Sequence, residues 1–246
     1  EPRFYATFLY EGAPWKPRSS ANQARDPLGQ IQTGTYEVVN SSGEKVTHFG
    51  LDTRNSPIED WNGSYTGYYI RKFIEPDPNF VDQNTWQEIP WPNIRFTEVV
   101  FNYAEANIAL GNDEEARTWL NKIRFRAGLP ATSASGEELM EVLINEKRKE
   151  MVHEEQRYYD ARRWMIAPET LGRQANGINI VGTLKPGKEV SLYSYSTENY
   201  DYSYEVIDID PGKENRLWLD KMYFMPINFD EMQRNREIVK NPGSED

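Results

Sequence analysis

The stretch Ser135-Gly136-Glu137-Glu138-Leu139-Met140-Glu141-Val142-Leu143-Ile144-Asn145-Glu146-Lys147-Arg148-Lys149-Glu150-Met151-Val152 decides the fold, together with its continuation to Arg157, Asp160, Arg162, Arg163 and Trp164. It reads as a charged helix followed by a second, shorter one. Ser135 and Glu138 have the spacing of a capping box, in which side chains at a helix start satisfy orphan backbone N–H groups. Leu139, Val142, Leu143, Met151 and Val152 then recur at helical spacing and make an apolar stripe. Glu146 and Glu150 fall on or beside that stripe. A carboxylate on a packed face is costly unless cations and hydrogen bonds satisfy it. Arg157, Arg162 and Arg163, with Asp160 among them, follow in the second helix and offer those cations. The expected result is a partly buried ion network of Glu146, Glu150, Arg157, Asp160 and Arg163 that docks two helices. A competing use of a glutamate pair is general acid–base work, as in glycoside hydrolysis. Abundant arginine weighs against it, because a neighbouring guanidinium lowers a carboxyl pKa and makes a poor proton donor.

Working outward, residues 93–129 read as a helical hairpin. Phe96, Val99, Val100, Tyr103, Ala106 and Leu110 share one side of the first helix, which stops at Gly111. Asn112 with Glu115 has the form of a second capping box. Ala116, Trp119, Leu120, Ile123 and Ala127 follow at helical spacing, and Gly128 and Pro130 end the run. Small residues around the turn suggest a tetratricopeptide-like hairpin, present as a single copy. Upstream, Phe4 to Tyr10 reads as a strand, and the polar stretch to Gly34 as a long surface loop carrying Trp15. Trp15 is either a stacking platform or a ring folded back onto the domain. Tyr36–Val39 and Val46–Phe49 form a hairpin across Ser41-Ser42-Gly43, and Gly67–Phe73 is a further strand. Asp60-Trp61-Asn62-Gly63-Ser64-Tyr65 is turn-rich and sets rings beside amide and acid groups, the chemistry of sugar recognition. Past Pro168, Tyr200, Tyr202 and Tyr204 alternate as in a strand. Asp208 to Gly212 make a turn, Met222–Ile227 reads as another strand, and a last helix begins near Asp230. The fold class is mainly α with small antiparallel strands, in three parts: loops and strands over 1–92, helices over 93–168, and loops and strands over 169–246.

Composition excludes several function classes. The net charge is −11, which opposes nucleic acid, whose phosphates need a basic face. The chain has no cysteine and only two histidines, His48 and His153, too little for a triad or a transition-metal site. His153-Glu154 opens a zinc-protease pattern, but Arg157 stands where the second histidine belongs. Asp208 and Asp210 open like a calcium loop, yet Lys213 and Leu219 occupy the positions of its glycine and glutamate. No cofactor is expected, and a structural calcium is unsupported. No window has the length and apolarity of a membrane span. Glu1-Pro2-Arg3 opens without an initiator Met, so the sequence reads as a mature or truncated chain.

A series of landmarks carries a resemblance: Arg3-Phe4-Tyr5-Ala6, Thr66 to Phe73, Arg95, Glu98, Asn102 to Ala106, and Ile123 to Pro130. It continues with Glu146 to Glu150, Glu154 or Glu155, Arg157, Tyr159 to Trp164, Phe224 to Ile227, Asn235 and Asn241-Pro242-Gly243. In this order they resemble the C-terminal half of the SusD/RagB family, nutrient-binding outer-membrane lipoproteins of Bacteroidetes. The resemblance implies a SusD-like fold with tetratricopeptide-like hairpins, no catalysis, and a SusC-like TonB-dependent transporter as partner. It implies a cell-surface location through a lipid anchor in an N-terminal half expected to lie outside this chain. The implied cargo is an oligosaccharide, with a peptide, as in the RagB branch, the alternative. A carboxylate-only glycosidase and a protein-gripping scaffold are the competing readings. Family ligand contacts lie on ring-bearing loops, so the expected contacts are Trp15, Trp61, Asn62, Tyr65, Tyr36 and Trp86.

Overall fold

The computed structural model describes residues 1–58, 61–81, 85–210 and 212–244. Asp60, which opens the turn-rich segment, and Pro211, inside the Asp208–Gly212 turn, lie outside the described residues. The chain divides into two compact units, Glu1–Glu154 with Asn176–Asp208, and Glu155–Ala175 with Ile209–Asp246.

The first unit begins with a helix where a strand is expected. Helix α1 (Pro2–Thr7) has proline in its first turn, and the Glu1 side chain accepts from the Arg3 N–H at its start. Proline's fixed φ and missing N–H suit a first helical turn, and this outweighs the β preference of the aromatic run. Only Phe8–Leu9 (β1) is extended, pairing antiparallel with β4 (Tyr69–Ile70), all that remains of the expected Gly67–Phe73 strand. Strands β2 (Thr35–Val39) and β3 (Lys45–Phe49) form the expected hairpin. Its turn is closed by the Asn40 side chain accepting from the Ser42 and Glu44 N–H groups. Strands β5 (Asn176–Leu184) and β6 (Tyr200–Asp208) complete a sheet of order β3-β2-β5-β6. One pairing in it, β2 with β5, is parallel rather than antiparallel. Parallel neighbours need a long crossover, and here residues 40–175 lie between them.

Helices α2 (Phe96–Ala109), α3 (Asp113–Arg126) and α4 (Gly136–Glu150) match the sequence expectation. Two details differ. The buried face of α2 is Thr97, Val100, Phe101, Ala104 and Asn107, while Phe96, Val99, Tyr103 and Leu110 stay exposed. The helix is turned so that Ala104, as fully buried as Ala116 of α3, lies on the packed side; small residues there permit close helix approach. Neither Asn112 nor Ser135 makes a side-chain cap hydrogen bond. The Glu115 carboxylate instead receives the Tyr103 hydroxyl at 3.1 Å and the Trp119 indole N–H at 2.9 Å.

A seam of ions runs along α4. Glu146, only 2% exposed, accepts from Arg3 Nη2 at 2.9 Å and Arg124 Nη1 at 2.6 Å. Glu150 accepts from Arg3 at 3.2 Å, from Arg95 at 3.1 Å and from Arg126. Glu154 accepts from Arg95 Nε at 2.6 Å and Lys72 Nζ at 2.5 Å. These cations come from outside the Ser135–Trp164 stretch, which corrects the expectation that its own arginines supply them. The reason is geometric: α1, α2 and α3 bring Arg3, Arg95, Arg124 and Arg126 against the inner face of α4, which local sequence neighbours do not reach.

In the second unit, α5 (Gln156–Arg163) carries Asp160, paired with Arg163 at 3.0 Å, and α6 (Ala167–Thr170) follows. The expected Met222–Ile227 strand is a 3-10 helix over Asp220–Tyr223 followed by extended chain. Arg162 donates to the Tyr223 carbonyl and Asn241 Nδ2 to the Met225 carbonyl at 2.6 Å, holding this segment without a strand partner. The final helix α7 (Phe229–Arg234) is capped by the Asn228 side chain, which accepts from the Asp230 N–H.

Candidate functional site

The site is organised by a glycine. A Cβ on Gly63 would stand 2.3 Å from the Thr53 carbonyl and 2.4 Å from the Arg54 nitrogen, so only glycine lets the two backbones lie together. This contact lays the 61–65 loop over Thr53 and Arg54. The Arg54 guanidinium then sits 4.3 Å from the centre of the Tyr65 ring, and its Nη1 donates to the Trp61 carbonyl at 2.6 Å. Arg54 thus joins the two ends of the loop. Cation and ring attract at this range because the ring face is electron-rich.

The loop is tied down on two further sides. The Ser64 N–H donates to the Tyr69 hydroxyl at 2.9 Å, and that hydroxyl donates to the Asp52 carbonyl at 2.7 Å. Burial pushes the Tyr69 pKa up, which keeps it a neutral donor. Across the loop, the Ile178 N–H of β5 donates to the Thr66 carbonyl at 3.0 Å. Between these anchors Trp61 is 67% exposed and Tyr65 43% exposed, with Asn62 exposed beside them. A ring held at its backbone and bare on its face loses little freedom when a ligand covers it.

The other expected contacts lie elsewhere. Trp15 is half-buried and packs on the Leu9, Ala13 and Ile31 cluster, so its ring folds back onto the unit. Lys16 Nζ and the Arg71 guanidinium stand 5.6 Å and 5.8 Å from its centre. The surrounding loop is pinned by Arg18, which reaches Asp26 at 2.8 Å and Asp52 at 2.7 Å. Tyr69 packs on the same cluster as Trp15 and so supports both loops. Tyr36 is corrected outright. It is wholly buried with Val38 and Tyr200, and its hydroxyl donates to Glu11 at 3.0 Å. Its position on the inner face of β2 removes it from any ligand. Glu11 also accepts from the Thr33 and Gly34 N–H groups, while burial raises its pKa. Trp86 is 95% exposed on the segment that leads to α2. A cavity of about 600 Å³ lies elsewhere, lined by Phe4, Tyr5, Phe8, Arg148, Lys149 and Val152, and holds none of the expected ring residues.

Arg54 escaped the sequence reading because nothing in Thr53-Arg54-Asn55-Ser56 announces a partner at Trp61 or Tyr65. Among the described residues, no group of three or more His, Cys, Asp or Glu could hold a metal ion.

The SusD family model matches residues 1–243. The chain belongs to the SusD family. A SusD-like protein from Bacteroides fragilis superposes with a TM-score of 0.64 at 30% identity, over 99% of this chain and 39% of its own. A SusD-like carbohydrate binding protein from Bacteroides fragilis superposes with a TM-score of 0.56 at 24% identity, over 96% of this chain and 41% of its own. This chain therefore spans about two-fifths of the length of these SusD-like structures. No curated protein matches the sequence. The fold is mainly α with small sheets, in line with SusD-like structures. Within this SusD-family chain, the landmarks Arg3, Arg95, Arg124, Arg126, Glu146, Glu150 and Glu154 all meet in the ion seam of α4. Among the described residues, no helix is long and apolar enough to cross a membrane.

Proposed function

We propose that this chain is part of a non-catalytic receptor that captures carbohydrate on the Trp61–Tyr65 loop. The receptor would sit on the outer-membrane surface through a lipid anchor outside residues 1–246 and pass its cargo to a SusC-like TonB-dependent transporter. The observation that carries this reading is the loop itself: Trp61 and Tyr65 are exposed, while the loop that bears them is held by Gly63, Arg54 and Tyr69. Rings cover the C–H face of a sugar, and hydroxyls at its rim are bonded by amide and hydroxyl groups of the kind this loop carries. Membership of the SusD family supports it, as does a SusD-like neighbour that bears the name of a carbohydrate binding protein. Against a glycosidase stand Glu146, Glu150 and Glu154, whose carboxylates are each taken by two or three cations.

Affinity electrophoresis in gels cast with plant, host and microbial polysaccharides tests the proposal. At least one glycan is expected to retard the chain, and the Trp61→Ala, Tyr65→Ala double variant to weaken that retardation at least tenfold, given about 1–3 kcal/mol per stacked ring. Retardation unchanged in the double variant, or none with any glycan, rejects the loop as the site.

A further inference from the structure

Most half-buried arginines of the first unit meet a carboxylate, whereas Arg54 and Arg117 meet none among the described residues, Arg117 donating to the Ala134 carbonyl. Arg3, Arg18, Arg95 and Arg124 each meet at least one carboxylate. Arg54 meets only the Trp61 carbonyl and the Tyr65 ring. Its Nη1 is occupied, which leaves the other edge of the guanidinium, Nε with Nη2, unengaged by any described residue. That edge is the fork that grips a carboxylate or sulfate with two parallel hydrogen bonds. A second cation marks the same segment: the exposed Arg25 donates to the Pro57 carbonyl at 3.2 Å, three residues beyond Arg54. In a chain with a net charge of −11, Arg54 sets a guanidinium directly against the ring loop. A guanidinium with an open fork beside exposed rings is better matched to an anionic sugar than to a neutral one.

We propose that the carbohydrate held at the Trp61–Tyr65 loop is acidic, and that Arg54 receives its anionic group through Nε and Nη2. This rests on the loop being a glycan site. The ring faces supply affinity for the sugar body, and Arg54 selects charge. Carboxylate and sulfate share the required geometry, so the ligand is a uronate-bearing or sulfated glycan. Arg54 is thereby a specificity-determining residue.

The test uses two matched pairs of polysaccharides: polygalacturonate against its methyl ester, and a sulfated galactan against its desulfated form. Retardation of the 246-residue chain is measured for the wild type, Arg54→Gln and Arg54→Lys, with urea midpoints confirming that each is folded. The wild type is expected to bind the charged member of one pair about tenfold better than the neutral member. Which pair responds names the anion. Arg54→Gln is expected to erase the preference, and Arg54→Lys, which keeps the charge without the fork, to restore only part of it. Equal binding of charged and neutral members, or a preference that survives Arg54→Gln, overturns the inference. Neutral glycan bound and then lost in Trp61→Ala would do the same while leaving the glycan site standing. Failure of every glycan to bind would remove both readings together.

Discussion

The α4 seam and the 61–65 loop use arginine to opposite ends. In the seam, Arg3, Arg95, Arg124 and Arg126 converge on Glu146 and Glu150, one helical turn apart on α4, and on Glu154 just beyond its end, and the charges are consumed inside the structure. In the loop, Arg54 meets no described acid and lies on a ring near solvent. The same side chain is cement in one place and an open hand in the other. The difference lies in what reaches it: helix faces deliver glutamates at fixed spacing, whereas the loop delivers only a carbonyl and an aromatic face. Arginine count alone says nothing about function; the distribution of acid partners does.

The sharpest way to break this contrast is at Glu146. Glu146→Ala leaves Arg124 and part of Arg3 without a carboxylate in a buried setting, and is expected to lower stability by about 3–5 kcal/mol in urea unfolding. A loss under about 1 kcal/mol would mean that the seam is solvated and the contrast false. Trp15→Ala comes next, at about 2 kcal/mol, because the ring packs on Leu9, Ala13 and Ile31 without being fully enclosed; no loss would return Trp15 to the list of free platforms.

Acid sharpens the comparison because it acts on the seam through Glu154. Burial opposes charge on Glu154, but the hydrogen bonds from Arg95 and Lys72 outweigh it and hold the carboxyl below its ordinary range. A carboxyl depressed in the fold gives stability that is present above the unfolded pKa, about 4.3, and is lost as pH falls through the folded value. His153 is also lowered, by burial and then by Lys72, so its contribution is lost as pH falls from about 6.5 towards its folded value. The urea midpoint should therefore drop in two steps on acidification, the first absent in His153→Gln and the second reduced in Glu154→Gln. A single step untouched by either variant would place acid sensitivity outside the seam.

The smallest effects belong to the loop. Arg54→Ala should change stability by only about 0.5–1 kcal/mol, the size of one exposed cation–π contact. Trp61→Ala should stay within about 0.5 kcal/mol, since its side chain touches so little. A larger loss at either residue would show that the loop is part of the packing scheme, as the seam is.

The sequence makes the scaffold more legible than the site. Helices α2, α3 and α4 follow from 3.6-residue periodicity and the stops at Gly111 and Pro130, and the β2–β3 hairpin from its turn residues. Those signals are local, so one chain carries them. Which side of α2 goes inward depends on where Ala104 can be approached, a fact about neighbours rather than period. Tyr36 illustrates the same limit, because an aromatic in a strand reads alike whether it faces a ligand or the core. The cations of the seam were visible as landmarks but not as partners, since Arg3 and Glu146 are 143 positions apart. Gly63 reads only as one residue of a turn and Arg54 carries no signal, because their meaning lies in a backbone contact that no spacing rule encodes.

The parallel pairing of β2 with β5 joins Thr35 to Val181. During synthesis, the hairpin of β2 and β3 emerges from the ribosome early, with one rim of backbone donors and acceptors unpaired until β5 and then β6 are made. Five helices, α2 to α6, are made in that interval, and the nascent sheet must wait with an open rim, the form of strand most prone to stick to another chain. Slowing translation across residues 50–176 should thus promote misassembly at β2 rather than in the helices.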